Sequence, residues 1–143
     1  MVCGKIRNAL EPLALTLLRV FVGVVMATHG WQKLQGFSGT VEAFAGMGFP
    51  YAKVMVILAI AGELGGGLGL IFGFLTPLAA FGVFCTMAVA ISKIHLANGL
   101  LAKDGGFEYP GTVFFVAFYF IIRGAGPISL DRLFCRGKSH SEG

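Results

Sequence analysis

The sequence predicts an all-α membrane protein: a four-transmembrane-helix bundle forming one domain over residues 1–143. Three observations carry this reading. The chain is 56% hydrophobic and only 13% charged, with a mean hydropathy of +0.82, and a soluble domain of this size has no interior large enough for so much apolar surface. The apolar residues fall into four runs, each near the roughly 20 residues that a helix needs to cross a ~30 Å hydrocarbon layer. No ten-residue alternating strands occur, so helices rather than a closed barrel must satisfy the backbone in lipid.

In chain order, the spans read as about 12–31, 51–74, 76–96 and 107–123, followed by a polar tail over 132–143. Pro12 and Pro77 suit first helical positions, where a missing N–H costs little. Lys5 and Arg7 ahead of an apolar run imitate a secretion signal. That run is too long, however, Arg19 interrupts it, and no small-x-small cleavage site follows, so it reads as an uncleaved first span. The next link, "LQGFSGTVEAFAGMGFP", has room for a brief interfacial helix with Val41 and Phe44 toward lipid and Gly46 or Gly48 ending it. The link "GFLTP" is short enough to make spans 2 and 3 an antiparallel hairpin. "ANGLLAKDGGFEYP" carries an Asp104-Gly105 turn. "PLALTLLRVFVGVVMATH" from Pro12 and "PLAAFGVFCTMAVAISKIH" from Pro77 suggest two helix-hairpin repeats, which would set His29 and His95 at one depth.

Four spans put both termini on one side. Lys5, Arg7, Arg132, Arg136 and Lys138 lie there, against Lys33, Lys53, Lys93 and Lys103 opposite, so the positive-inside rule places both termini in the cytoplasm. The formal net charge is +4, but the basic residues are scattered at segment ends rather than gathered on one face, which argues against a nucleic-acid partner. The expected partners are the lipid bilayer, other membrane or redox proteins, and further copies of the chain. Cys3, Cys85 and Cys135 form no CxxC or close pair, so neither a redox dithiol nor a metal site is predicted.

Small residues recur at helical spacing: Gly62, Gly66, Gly69 and Gly73 on span 2; Gly23, Ala27 and Gly30 on span 1; Ala79, Gly82, Thr86 and Ala90 on span 3. Such stripes let helices pack closely in lipid. Glu63 lies beside one of them and is expected to face the bundle. Counted at 1.5 Å per residue from Pro12 and from Gly73, Arg19 and Glu63 come to ~10 and ~15 Å from the same surface. The expectation is an intramembrane polar pocket of Arg19, Glu63 and Arg123, in which the arginines keep the acid charged. Such a group holds a ligand head group or a proton, or it only fixes helix register.

A second polar cluster is expected at the outer end: His29, Lys33, His95, Asn98, Glu108 and Tyr109, with Trp31. Histidines there bind a metal, pass protons, hydrogen-bond a quinone carbonyl, or simply reach toward water. A haem held by two histidines is disfavoured, since nothing else in the sequence argues for it. His140, in the polar tail, has no expected role. "FFVAFYFII" in span 4 reads as lipid-facing bulk, with a groove for an isoprenoid quinone as the sharper alternative.

These residues resemble the DoxX family. The matching pieces run from Leu18-Arg19 through His29-Gly30 with Lys33, Gly48-Phe49-Pro50, and Glu63 followed by Gly65-Gly66. They continue with Met87 and Ala90, His95 with Asn98-Gly99, "GGFEYP" at 105–110, Gly124-Ala125-Gly126 and Ser129-Leu130-Asp131. The resemblance covers about residues 12–131 in order. It implies a small four-helix protein of the bacterial inner membrane, in a family named for a subunit associated with a quinone-linked oxidase and thiosulfate oxidation. Pro127-Ile128 departs from the family pattern, which has a basic and an aromatic residue there, and this puts a cytoplasmic contact at that point in doubt.

The function expected from these readings is an accessory subunit of a quinone-linked redox system. The sequence has no haem motif, paired cysteines or flavin fingerprint, so electron transfer would need a partner. The alternatives are a non-enzymatic membrane scaffold or assembly protein, and a small transporter, for which four helices are few.

Overall fold

The computed structural model describes residues 2–137. All regular structure among them is helical: α1 (Val2–Gln35), α2 (Phe37–Gly46), α3 (Ala52–Ile60), α4 (Gly66–Phe72), α5 (Thr76–Ala90), α6 (Glu108–Arg123) and α7 (Leu130–Gly137). A π-helical turn, Ala61–Gly65, joins α3 and α4 into one rod. A second π-helical turn, Ile91–His95, and a 3-10 turn, Leu96–Asn98, prolong α5. Four rods pack side by side, α1 on α3–α4, α3–α4 on α5, and α5 on α6. Their shared core takes Val22 and Met26 from α1, Leu70 from α4, Ala80, Val83 and Met87 from α5, and Val113, Ala117 and Phe120 from α6.

Three rods are long and apolar enough to cross a membrane: Gly4–Gln35, Ala52–Phe72 and Thr76–Asn98. The fourth, α6, has 16 residues and is about 24 Å long at 1.5 Å per residue. Large apolar side chains stand exposed around the bundle, among them Phe21, Phe72, Leu78, Phe81, Phe115 and Ile122. An apolar exterior over an apolar core is the pattern of helices solvated by lipid rather than water.

The first helix starts well before Pro12, at Val2, and Pro12 lies inside it. An internal proline cannot bond the carbonyl four residues earlier, which here belongs to Asn8. Residues 4–11 are all exposed, so that carbonyl is open to solvent or lipid head groups and the helix runs on. The expected interfacial segment is present as α2. It ends at Gly46, with Gly48 at φ 78° behind it, and Phe44 stacks on Phe49 at 4.8 Å between ring centroids. The polar tail expected over 132–143 is helical as far as Gly137; the remainder, with His140, lies outside the described residues.

The small-residue stripes do what helical spacing in lipid allows. A Cβ on Gly62 would meet the Gly82 carbonyl oxygen at 2.8 Å, and one on Gly66 the Ala79 carbonyl oxygen at 2.7 Å. These two glycines therefore set the α5 contact. Gly67, a position the stripes did not include, faces α1, where a Cβ would meet the Gly23 carbonyl oxygen at 2.7 Å. Residues 62 and 66 thus serve one neighbour, and 63 and 67, one step round the rod, serve the other.

The turn between α4 and α5 is tight, with left-handed backbone at both Gly73 (φ 63°) and Leu75 (φ 45°). Leucine is costly there, and such a conformation persists only when its surroundings over-determine it. Asp131 does so from a distant part of the chain. Its carboxylate accepts from the Leu75 N–H at 2.7 Å and the Thr76 N–H at 2.9 Å, while its own N–H donates to the Gly73 carbonyl at 2.9 Å. Asp131 is in effect the N-cap of α5, and we expect Asp131→Ala to cost about 1–2 kcal/mol. Thermal unfolding in detergent, with the exposed Asp104→Ala as control, checks this; equal midpoints for the two variants would refute it.

Candidate functional site

Glu63 is the only carboxylate buried among the described residues. Its position on the face shared with Gly67 points it at α1, where its Oε2 accepts from the Lys33 Nζ at 2.6 Å. The two side chains are 7% and 25% exposed respectively, so the carboxylate is enclosed and the ammonium reaches outward along its stem. The π-helical turn that carries Glu63 is of a kind found often at functional sites. Gly30, one turn before Lys33, allows the approach: a Cβ there would lie 2.8 Å from the Leu64 Cα.

The expected pocket of Arg19, Glu63 and Arg123 does not form. Antiparallel packing sets Gly30 against Leu64 and Arg19 against Gly73. Ten residues separate Glu63 from Gly73, about 15 Å along the rod, and that places Glu63 in the other half of the bundle from Arg19. Counting from Pro12 misjudged the depth because Arg19, not Pro12, lies level with Gly73. Arg123 instead meets Glu11 at 3.5 Å, with both side chains about half exposed, a pair of little energetic weight.

Arg19 has a different task. It is 2% exposed and donates through Nη1 to the Ala125 carbonyl and through Nη2 to the Ile128 carbonyl, the latter at 2.8 Å. One planar guanidinium thereby clamps the connection from α6 to α7. Lysine cannot offer two divergent donors from one rigid fork, so Arg19→Lys should destabilise the protein by about 2 kcal/mol. Limited proteolysis over residues 124–130 should show faster cleavage, and an unchanged rate would exclude the clamp.

The expected outer cluster divides in two. His95 Nδ1 lies 2.7 Å from the Gly105 carbonyl and the Asn98 amide donates to the same oxygen at 3.2 Å. Glu108 Oε2 accepts from the Ala102 N–H at 2.8 Å. These three side chains hold the 96–107 connection, in which Gly106 is packed against Leu100. Lys33 pairs with Glu63 instead, and His29 pairs with Tyr109. The His29 ring stacks on Tyr109 at 5.7 Å between centroids. His29 Nδ1 sits 2.9 Å from the Val25 carbonyl. A carbonyl only accepts, so Nδ1 carries the proton and Nε2 is left as the open ring nitrogen. Lys33 was thus named among the outer residues, but nothing in its sequence context marked it as the partner of Glu63; the Gly30–Gly67 contacts that set the register are the missing signal.

Elsewhere, Phe115, Phe118 and Tyr119 of the aromatic span are exposed, while Phe114 stacks on Phe84 at 4.2 Å. Cys85 is a free, exposed thiol. No group of three or more His, Cys, Asp or Glu among the described residues is placed to hold a metal ion.

The DoxX family model matches residues 14–96, more than half of the chain and both partners of the Lys33–Glu63 pair. The chain belongs to the DoxX family. It is 31% identical over 134 residues to the inner membrane protein YphA of Escherichia coli strain K12, covering 87% of this chain and 93% of that relative. It is 31% identical over 134 residues to the inner membrane protein YqjF of the same strain, covering 87% and 94%. It is also 30% identical over 124 residues to the putative oxidoreductase CatD of Bacillus subtilis strain 168, covering 87% and 89%. No solved structure matches the chain. With three helices able to cross a bilayer, this DoxX protein is a multi-pass membrane protein in contact with lipid.

Proposed function

We propose that this DoxX protein is an accessory subunit of a quinone-linked redox system in the bacterial inner membrane. In this reading α6 is the fourth span and both termini are cytoplasmic. The observation that carries the proposal is the enclosed Glu63 carboxylate with its Lys33 partner, an expensive thing to maintain among lipid-facing helices and one that normally marks function. The inner-membrane names of two relatives and the oxidoreductase name of a third support the setting.

The residues present suit a quinone. Lys33 gives one of its three N–H donors to Glu63, and the others can donate to a quinone carbonyl. Glu63, bonded to Lys33, can hold or pass a proton. An apolar groove of about 430 Å³ between α4 and α5 runs from Ala61 and Gly65 toward Phe74 and Leu75, on the α5 side of the rod and not on the α1 side where Glu63 meets Lys33. Its lining suits an isoprenoid chain. A bound quinone would supply two-electron redox chemistry, with the electrons exchanged through a partner protein.

Purification in mild detergent, followed by mass spectrometry of lipids and co-purifying proteins, tests the proposal. The expected result is an isoprenoid quinone or a redox partner with the wild type and at least five-fold less of it with Lys33→Met. A wild-type preparation holding neither overturns it. One observation favours a scaffold instead: Arg19, Asp131, His95, Asn98 and Glu108 all spend their polar groups on holding the fold. Full activity in a Lys33→Glu/Glu63→Lys exchange would extend that reading to the pair.

A further inference from the structure

We infer that α7 is a lipid-binding helix, lying in the head-group layer at the end of the bundle that carries the termini. Arg132, with Lys5 and Arg7, faces anionic phospholipid head groups there, and Leu133 and Phe134 sit among the upper acyl chains.

The sequence of α7, "LDRLFCRG", places Leu130, Leu133 and Phe134 at i, i+3 and i+4 on one face, and Arg132 on another. Leu133 and Phe134 are 66% and 65% exposed, so the apolar face is not spent on the bundle. The helix cannot roll to hide it. Asp131 is bonded to the backbone of Gly73, Leu75 and Thr76, which pins the first turn of α7 to the turn between α4 and α5. The apolar surface of the spans continues onto α7 through Phe74 and Phe134. Phe134 meets Phe74 edge-on at 6.1 Å, and a depression of about 490 Å³ beside them is lined by Phe74, Leu75, Pro77, Gly124, Ala125 and Phe134, with Asp131, whose carboxylate is held by the Leu75 and Thr76 amides, as its one charged side chain among the described residues. The surface that faces lipid along the bundle is therefore the surface that α7 extends.

Charge selects the lipid. Among the described residues, two acids lie at this end, and both are engaged: Glu11 with Arg123, and Asp131 with backbone amides. Lys5, Arg7 and Arg132 are exposed and have no carboxylate partner among the described residues. Arg132 spends only a 3.4 Å contact on the Pro127 carbonyl. A short helix with an apolar face and flanking cations is drawn to an anionic bilayer surface by both terms at once. A free phosphate would use the cations and leave Leu133 and Phe134 without a role.

The test uses the full chain in phospholipid nanodiscs, with Leu133→Trp introduced beside Trp31→Phe to give one reporter. Emission shifted to the blue, and quenched by phosphatidylcholine brominated high on the acyl chain, is the expected result. Unquenched, water-like emission overturns the placement. Native mass spectrometry of the detergent-solubilised chain should show phosphatidylglycerol retained over phosphatidylcholine. Each cation removed should weaken that binding about five-fold, in Arg132→Gln and separately in Lys5→Gln/Arg7→Gln, a pair that leaves α7 intact should the first variant fail to fold. Equal retention of the two lipids by the wild type overturns the head-group assignment.

Discussion

Lys33→Met should destabilise this DoxX protein by about 3 kcal/mol, while Glu63→Gln should cost only about 1 kcal/mol. The asymmetry follows from exposure. The Glu63 side chain is 7% exposed, so removing Lys33 strands a charge inside the helix packing with no cation beside it. The Lys33 side chain is 25% exposed on a flexible stem, so losing Glu63 leaves it free to swing outward, and the remaining deficit is that of a lost hydrogen bond. The 3 kcal/mol stands at the low end for a broken buried pair because Lys33 itself is partly screened. The double variant Lys33→Met/Glu63→Gln should return close to Glu63→Gln alone, since the stranded charge is gone. Thermal unfolding in a mild detergent, run as a double-mutant cycle, measures all three. Lys33→Met as stable as the wild type would remove the basis for a site at Glu63.

Gly67→Ala should cost about 2–3 kcal/mol, whereas Gly65→Ala should be neutral or slightly stabilising. The two positions lie two residues apart in the same rod and carry the same substitution. A Cβ on Gly67 meets the Ala27 backbone nitrogen and, at 2.7 Å, the Gly23 carbonyl oxygen. Backbone atoms cannot rotate out of the way, so α1 must move off the rod, with the strain of an overpacked contact. A Cβ on Gly65 meets nothing within 4 Å, and alanine is the better helix former. Moving α1 also draws Lys33 from Glu63, so Gly67→Ala should lower whatever ligand or partner occupancy depends on the pair, and Gly65→Ala should not. Equal stability of the two variants would show that close α1 packing does not set the site.

Much of the architecture was legible in the residues. Hydropathy placed three rods that reach across a membrane, and the fourth rod formed where "FFVAFYFII" indicated. Glycine spacing marked span 2 for close packing, and Gly62 and Gly66 of that stripe meet α5. The short α2 in the first link followed from one amphipathic stretch ending in glycine. Depth was harder to read. Pro12 looks like a helix start, but a proline stops a helix only where the freed carbonyl has nowhere to turn, and Asn8 stands in the exposed first turns. Arg19 lies level with Gly73, so Pro12 stands seven residues, about 10 Å, beyond that level, and counting from it sent Glu63 to Arg19. The roles of Asp131 and of His95 with Gly105 were equally hidden, because the groups they satisfy are backbone atoms, which have no letter in a sequence.

By itself, the sequence determined that this chain lives in lipid, that it is built of helices, that glycine lets those helices touch, and that one carboxylate must be sheltered among them. Tertiary structure alone decided which cation shelters it. Residue spacing limits what a helix presents on each face, but the sliding register between two antiparallel rods is set by where backbone meets backbone, at Gly23 with Gly67 and Gly30 with Leu64. A slip of one turn, about 5.4 Å, would have given Glu63 another neighbour from the same letters.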